Sequence, residues 1–62
     1  MNKKVLIQEI VTGNVITIDE INLKAVNYVP DDKEWFDLAW GNAVEDGLVN
    51  EEDKAKYSIT FV

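Results

Sequence analysis

The sequence predicts a small α+β domain in which an antiparallel sheet packs against one main amphipathic helix. Residues 31–48, DDKEWFDLAWGNAVEDGL, repeat apolar side chains at helical spacing. The segments on both sides are rich in valine and isoleucine or alternate between apolar and polar residues, as is typical of strands. We therefore expect a β-hairpin, a third strand and a C-terminal strand around that helix, in a single domain spanning residues 1–62.

The predicted helix has a clear start and a clear end. Asp31 can act as the N-cap, because its carboxylate can accept from the free amides of the first turn, and Glu34 stands where a capping box is completed. Gly47 can adopt the left-handed conformation that ends a helix, with Leu48 folding back after it. These signals predict a helix that begins after Asp31 and stops before Gly47.

One half of the helical wheel is apolar, and we expect it to face the core. Its members are Trp35, Phe36, Ala39, Trp40, Ala43 and Val44. Trp35 lies at the edge of this half, a position that suits either the core boundary or an interface anchor. Gly41, on the outer half, either allows another backbone to approach closely or has no packing role, and the sequence leaves both interpretations open.

The hairpin and the last strand are predicted from apolar patterning. Residues 4–11 carry apolar side chains on both faces, which indicates an interior strand or a covered outer face. Residues 12–14, Thr-Gly-Asn, are a turn signal with a loop of two or three residues, and residues 15–18 return as the second strand. Residues 56–62 alternate as a half-buried strand does. The side chains expected on its inner face are Tyr57, Ile59 and Phe61.

Residues 21–29 fit two structures. As a helix they would be preceded by a capping box from Thr17 and Glu20, whereas as a strand they would alternate. Pro30 pushes Val29 toward extended geometry, and asparagine, valine and isoleucine are weak helix formers, so we favour a strand. Residues 50–54 are predicted to be a charged connector.

The composition argues against catalysis. The 62 residues include no histidine, cysteine or arginine, so a Ser/His/Asp or Cys/His unit and a structural zinc site cannot be built. The three glycines form no phosphate-binding motif. We expect a non-enzymatic protein without cofactor or metal.

The absence of cysteine and of a long apolar run predicts a soluble cytoplasmic protein with no membrane partner. If the chain is phage-encoded, the predicted location is the host cytoplasm.

The net charge of −6 is unevenly distributed. Residues 31–53 hold nine acidic residues and one lysine, whereas the rest of the chain holds three acidic residues and five lysines. Acids at the start of a helix complement its dipole, but Glu45 and Asp46 are expected at its end, where the dipole disfavours anions. A functional negative patch and a merely solvated surface both stay open. The candidate partner-binding residues are Asp37, Leu38, Glu45, Asp46, Glu51, Glu52 and Asp53.

The leading hypothesis from the sequence is a binding protein that docks this acidic face on a basic protein partner. Grooves that bind nucleic acid are the commonest strongly basic protein surfaces. A row of regularly spaced carboxylates can occupy such a groove in place of phosphates. Direct binding to nucleic acid is not expected, because the chain has no arginine and no basic stripe. In size, acidity and lack of catalytic groups the chain resembles small accessory proteins of bacteriophages and mobile elements that disable host factors.

Two other functions are compatible with the sequence. The first is a structural or assembly module that acts through an exposed strand edge as a homodimer, because a small sheet leaves at least one edge that can pair. The second is an antitoxin-like inhibitor of a small toxin, which uses the same acidic face as the leading hypothesis.

Overall fold

A three-stranded antiparallel sheet carries one main helix on one of its faces, as the sequence predicts. The computed structural model describes residues 1–23 and 27–62. The elements along the chain are β1 (Asn2–Glu9), β2 (Val15–Asn22), α1 (Asp32–Glu45), a 3-10 helix (Glu51–Lys56) and β3 (Tyr57–Phe61). The strand order is β2-β1-β3, and both neighbouring pairs are antiparallel.

The core lies between α1 and the inner face of β1. Val5 and Ile7 of β1 are fully buried, which confirms an interior position for this strand. The register places Ile59 opposite Ile7 and Phe61 opposite Val5, and directly opposed residues share a face of the sheet. The buried residues of the core cluster are Val5, Ile7, Ile21, Trp35, Ala39, Trp40, Ala43 and Val49. Four of the six residues predicted for the inner face of the helix are thus buried, and the other two, Phe36 and Val44, are half-buried against the same cluster.

The helix begins and ends where the sequence predicts. The Asp31 carboxylate accepts a hydrogen bond from the Glu34 backbone N–H at 3.0 Å. The Glu34 carboxylate does not reach back to the cap; it accepts from the Tyr28 hydroxyl at 2.8 Å, which raises the pKa of Tyr28. At the other end Gly47 has a φ of 74°. The N–H groups of Gly47 and Leu48 donate to the carbonyls of Val44 and Ala43 at 3.0 and 2.9 Å, which is the Schellman pattern.

The hairpin differs from the prediction in its loop. β1 ends at Glu9, and four residues separate it from Asn14, whose carbonyl accepts from the Glu9 N–H at 2.8 Å. The Thr12 hydroxyl donates to the Glu9 carboxylate and accepts from the Asn14 N–H, and Gly13 takes a φ of 76°. These local hydrogen bonds shorten the predicted strand 4–11, so that Ile10 and Val11 are exposed in the turn.

Part of the predicted strand 21–29 belongs to β2. Ile21 and Asn22 continue that strand, which is longer than the predicted 15–18, and Ile21 is buried. Residues 24–26 lie outside the described residues. Residues 27–30 form bends and irregular chain, so the described part of 21–29 contains no separate strand, and the third strand of the sheet is β3. The strand predicted over 56–62 is present as β3 (Tyr57–Phe61), whereas Lys56 ends the 3-10 helix, which takes up most of the predicted charged connector 50–54.

No helix or strand within residues 1–23 and 27–62 covers the outer face of the sheet. Leu6 and Ile18 lie opposite each other on this face, because they are cross-strand partners that alternate with the buried inner residues. Leu6 is half-buried and Ile18 is 53% exposed. The covered outer face, which was the alternative explanation for apolar residues on both sides of β1, is therefore not formed by the described elements.

Gly41 offers a test of the helix energetics. It is exposed and a Cβ at this position would meet no heavy atom within 4 Å, which favours the interpretation that it has no packing role. Gly41→Ala should raise the free energy of unfolding by about 0.5–1 kcal/mol, because alanine loses less conformational entropy in a helix. Urea denaturation followed by circular dichroism measures the change.

Gly47→Ala is the matched control. It makes the same chemical change where the backbone φ is positive, so it should lower the stability. A destabilising Gly41→Ala would show that another part of the chain approaches that position.

Candidate partner-binding surface

The acidic surface is defined here as the seven residues predicted for partner binding, Asp37, Leu38, Glu45, Asp46, Glu51, Glu52 and Asp53. They lie on α1, at its C-terminal end and on the 3-10 helix. Their side chains are exposed apart from Asp53, which is half-buried. In the described residues no polar or charged residue is fully buried, so the carboxylates of this surface can meet a partner without a change of fold.

Two contacts hold the 3-10 helix beside α1. The indole N–H of Trp40 donates to the Glu51 carboxylate at 3.2 Å, and the Lys54 ammonium lies 3.6 Å from the Asp37 carboxylate. The Trp40 ring also packs on Tyr57, with ring centroids 5.6 Å apart, directly after the 3-10 helix. The structure therefore brings Asp37 and Glu51, which are far apart in sequence, onto neighbouring elements.

Asp37 is the most strongly paired member of the acidic surface. It accepts a hydrogen bond from the Lys33 ammonium, one helical turn earlier, and also faces Lys54. The hydrogen bond from Lys33, followed by the charges of Lys33 and Lys54, lowers the pKa of Asp37. In the same pair the pKa of Lys33 is raised by Asp37. Leu38, the next residue, is 41% exposed and places an apolar side chain beside these charges.

Glu45 and Asp46 stand at the C-terminal end of α1, as predicted. Glu45 is the last helical residue and Asp46 is the C-cap, and the last turn contains no basic residue. Within residues 1–23 and 27–62 no lysine lies within ion-pairing distance of either carboxylate. Both anions therefore face the negative end of the helix dipole without a described counter-charge.

The carboxylates of the 3-10 helix have three different environments. Glu51 is tied to Trp40, and Asp53 lies 3.3 Å from the Lys56 ammonium. Glu52 is exposed and makes no ion pair or side-chain hydrogen bond with the described residues. Glu52, Glu45 and Asp46 are therefore the members whose charge is least compensated within the described chain.

Three lysines lie within or beside the acidic surface, and the sequence analysis did not assign them to it. Lys33 could have been found from its spacing, because residues four apart on a helix are neighbours. Lys56 likewise stands three residues after Asp53 on one short helix. The contact of Lys54 with Asp37 depends on how the chain returns after α1, and no local signal predicts it.

A basic end lies at the start of β1. The Lys3 ammonium stands 4.6 Å from the centre of the Phe61 ring and 5.5 Å from that of Trp35, a cation–π arrangement. The Val62 N–H donates to the Lys4 carbonyl at 3.1 Å, which places Lys4 beside the end of β3. A shallow recess of about 380 Å³ at this end is lined by Asn2, Lys3, Lys4, Phe61 and Val62.

Within the described ranges 1–23 and 27–62, no three histidine, cysteine, aspartate or glutamate side chains converge in a group that could hold a metal ion. Within the same ranges, no helix has the length and apolar character needed to cross a membrane.

Comparisons of the chain with models of known protein families, with curated proteins and with solved structures gave no match. The acidic surface and the sheet edges are therefore interpreted from their own geometry and charge.

The pairing of Asp37 gives a measurable pKa prediction. Lys33→Gln should raise the pKa of Asp37 toward its ordinary value, because it removes the hydrogen bond and the charge that lower it. Since this pKa is lower in the folded state, the contribution of Asp37 to stability is present above its unfolded pKa and is lost as the pH falls through the folded pKa. NMR titration of the side-chain carboxyl carbon measures the shift.

Lys54→Gln is the matched control, because it removes the more distant lysine and should raise the pKa of Asp37 less. A larger increase with Lys54→Gln than with Lys33→Gln would mean that Lys54 is the main partner of Asp37.

Proposed function

We propose that this protein is a non-catalytic binding protein that docks its acidic surface on a basic protein partner. The observation that carries the proposal is the placement of the 3-10 helix beside α1 through the Trp40–Glu51 and Lys54–Asp37 contacts. Because of these contacts, carboxylates from two segments of the chain lie on adjoining elements rather than on separate ones. Adjoining anions of this kind attract a positively charged surface and accelerate its association.

The roles of the surface residues differ in this proposal. Glu45, Asp46 and Glu52 provide the uncompensated charge that the partner meets. Glu51 and Asp53 are partly engaged within the chain, so they fix the shape of the surface more than they contribute free charge. Leu38 supplies an apolar contact near Asp37, and apolar contacts at the centre of an interface contribute affinity that charges alone do not.

The partner class follows from the chemistry of the acidic surface. A nucleic-acid-processing protein fits best, because its lysines and arginines are placed for regularly spaced anions that the carboxylates of this chain can replace. We propose that the chain inhibits such a host protein in the cytoplasm, as a phage-type accessory protein does. In this proposal the chain itself binds neither nucleic acid nor a membrane.

Affinity capture from a cell lysate tests the proposal. The immobilised protein should retain basic proteins at low salt and release them at high salt, because exposed charge pairs are screened. Mass spectrometry identifies the released proteins. Retention that does not change between low and high salt would contradict an interface built on charge.

A matched pair of double variants tests which face is used. Glu45→Lys with Glu52→Lys reverses two charges of the acidic surface, whereas Glu9→Lys with Glu20→Lys reverses two charges on the sheet. Each substitution changes the charge by two units, so both double variants have a net charge of −2 instead of −6. Only the first should abolish capture, and equal losses in both would show that net charge, not the acidic surface, attracts the partner.

A second candidate function is an assembly module that works through a strand edge as a homodimer. It is favoured by the strand order, which leaves one long side of β2 and one of β3 without a neighbouring strand among the described residues. A stable dimer whose mass in light scattering does not change with salt would favour this candidate over the first.

A further inference from the structure

The two edges of the sheet differ in their protection against pairing with another strand. Natural edge strands are commonly blunted by charged residues, proline or a bulge. β2 carries Asp19 and Glu20, and its register with β1 shifts between Ile7 and Gln8. β3, with the sequence YSITF, has no charged residue and no proline, and its register with β1 is unbroken. β3 is therefore the unprotected edge.

The hydrogen bonds at the two ends of β3 show which residues face β1. The Val62 N–H donates to the Lys4 carbonyl at 3.1 Å, and the Lys56 carbonyl accepts from the Ile10 N–H at 3.0 Å. Backbone groups alternate in direction along a strand, so the even-numbered residues of β3 bond to β1. The odd-numbered residues of β3 direct their backbone groups to the open side.

Three residues therefore present backbone groups at the free edge of β3. Ile59 and Phe61 each offer one N–H and one carbonyl, and Tyr57 offers a carbonyl. The Tyr57 N–H is already used, because it donates to the Lys54 carbonyl at the end of the 3-10 helix. A strand that pairs here can thus exchange bonds with Ile59 and Phe61, and with Tyr57 only through its carbonyl.

The side chains of β3 are symmetric about Ile59. Reading outward in both directions, a hydroxyl residue is followed by an aromatic one, Ser58 and Tyr57 on one side and Thr60 and Phe61 on the other. An antiparallel second copy centred on Ile59 would place each aromatic opposite an aromatic and each hydroxyl opposite a hydroxyl. Both kinds of pair are among those that stabilise antiparallel strands.

We propose that two copies of this chain pair through β3, antiparallel and centred on Ile59, to form a six-stranded sheet. In this register the two Ile59 residues exchange two backbone hydrogen bonds, and each Phe61 N–H donates to the Tyr57 carbonyl of the other copy. The Tyr57 N–H already donates to the Lys54 carbonyl, so the Phe61 carbonyl of the other copy receives no backbone donor in this register. The two-fold axis is perpendicular to the sheet, so both α1 helices lie on the same face.

The charges around β3 also match a second copy. The 3-10 helix at the Tyr57 end begins with Glu51, Glu52 and Asp53 and also carries Lys54 and Lys56, three negative and two positive charges. At the Phe61 end stand Lys3, over the Phe61 ring, and Lys4, beside Val62. Antiparallel pairing brings the 3-10 helix of one copy toward Lys3 and Lys4 of the other, so its three carboxylates approach basic residues, although its own Lys54 and Lys56 reduce the attraction.

This inference specifies the edge and the register of the second candidate function, on which it rests, and its backbone register does not depend on the acidic surface. Light scattering after size-exclusion chromatography should give a mass twice the 7.1 kDa of one chain, and dilution should dissociate it. A monomer at every concentration would overturn both the inference and the second candidate, whereas the capture experiments above would be unaffected.

Charge variants on the outer face of β3 test the register. Ser58→Lys with Thr60→Lys places lysines opposite lysines and should raise the dimer dissociation constant about tenfold or more. Ser58→Glu with Thr60→Lys places opposite charges across the axis and should keep the dimer. The matched control, Ile18→Lys with Asn22→Lys, adds the same charge on β2 and should leave the dimer intact. Circular dichroism confirms that each variant is folded.

A dimer that survives Ser58→Lys with Thr60→Lys would overturn pairing through β3, and the second candidate would then need another edge. Dissociation by the β2 control alone would identify β2 as that edge and would equally overturn the inference.

Discussion

The burial of two indoles against the central strand is the interaction on which the rest of this structure depends. Trp35 and Trp40 are 1% and 3% exposed and belong to one cluster with Val5 and Ile7. Burying one indole removes about 150–250 Å² from water, which stabilises the fold by about 4–6 kcal/mol at 25 cal/mol per Å². That is comparable with the whole net stability of a domain of this length. The chain has no cysteine, so no disulfide supplements this burial.

Trp40 links that core to the acidic surface. Its ring is buried, but its N–H emerges to donate to Glu51, and the 3-10 helix is held beside α1 partly through this bond. A partner that pulled the Glu51 carboxylate away would leave an indole donor without its acceptor, which costs free energy. The proposed binding energy should therefore come from Glu45, Asp46 and Glu52.

If the chain also pairs through β3, two acidic surfaces lie on the same face of one sheet. A partner with two matching sites would then bind more tightly through avidity.

The sequence predicted the parts of this fold that depend on local chemistry. The N-cap at Asp31 and the left-handed Gly47 need only neighbouring residues, and both were predicted correctly. The loop after Glu9 was predicted too short, because the Thr12 hydroxyl bonds that extend it compete with strand pairing. The length of β2 was underestimated because its last residues are held by their pairing with the first residues of β1, a contact between distant positions.

The candidate surface was only partly predictable, because its arrangement also depends on contacts between residues distant in sequence. Charge counting identified the carboxylates, but the proximity of Asp37 and Glu51 depends on the path of the chain after α1. Val49 was not predicted as a core residue, yet it is buried while Leu48 is 48% exposed, because the turn at Gly47 directs the second residue after it inward. The open edge of β3 follows from the strand order, which cannot be predicted from the residue pattern of any one strand.

The position of β1 has a consequence for how the protein can be made. β1 comes first in the chain and is central in the sheet, with one neighbour close in sequence and the other, β3, at the far end. The hairpin can form early in folding because its strands are close in sequence, but the second side of β1 is covered only when residues 57–61 pair with it. A chain that ends before residue 57 would therefore leave one side of β1 open to pairing with a strand of another molecule.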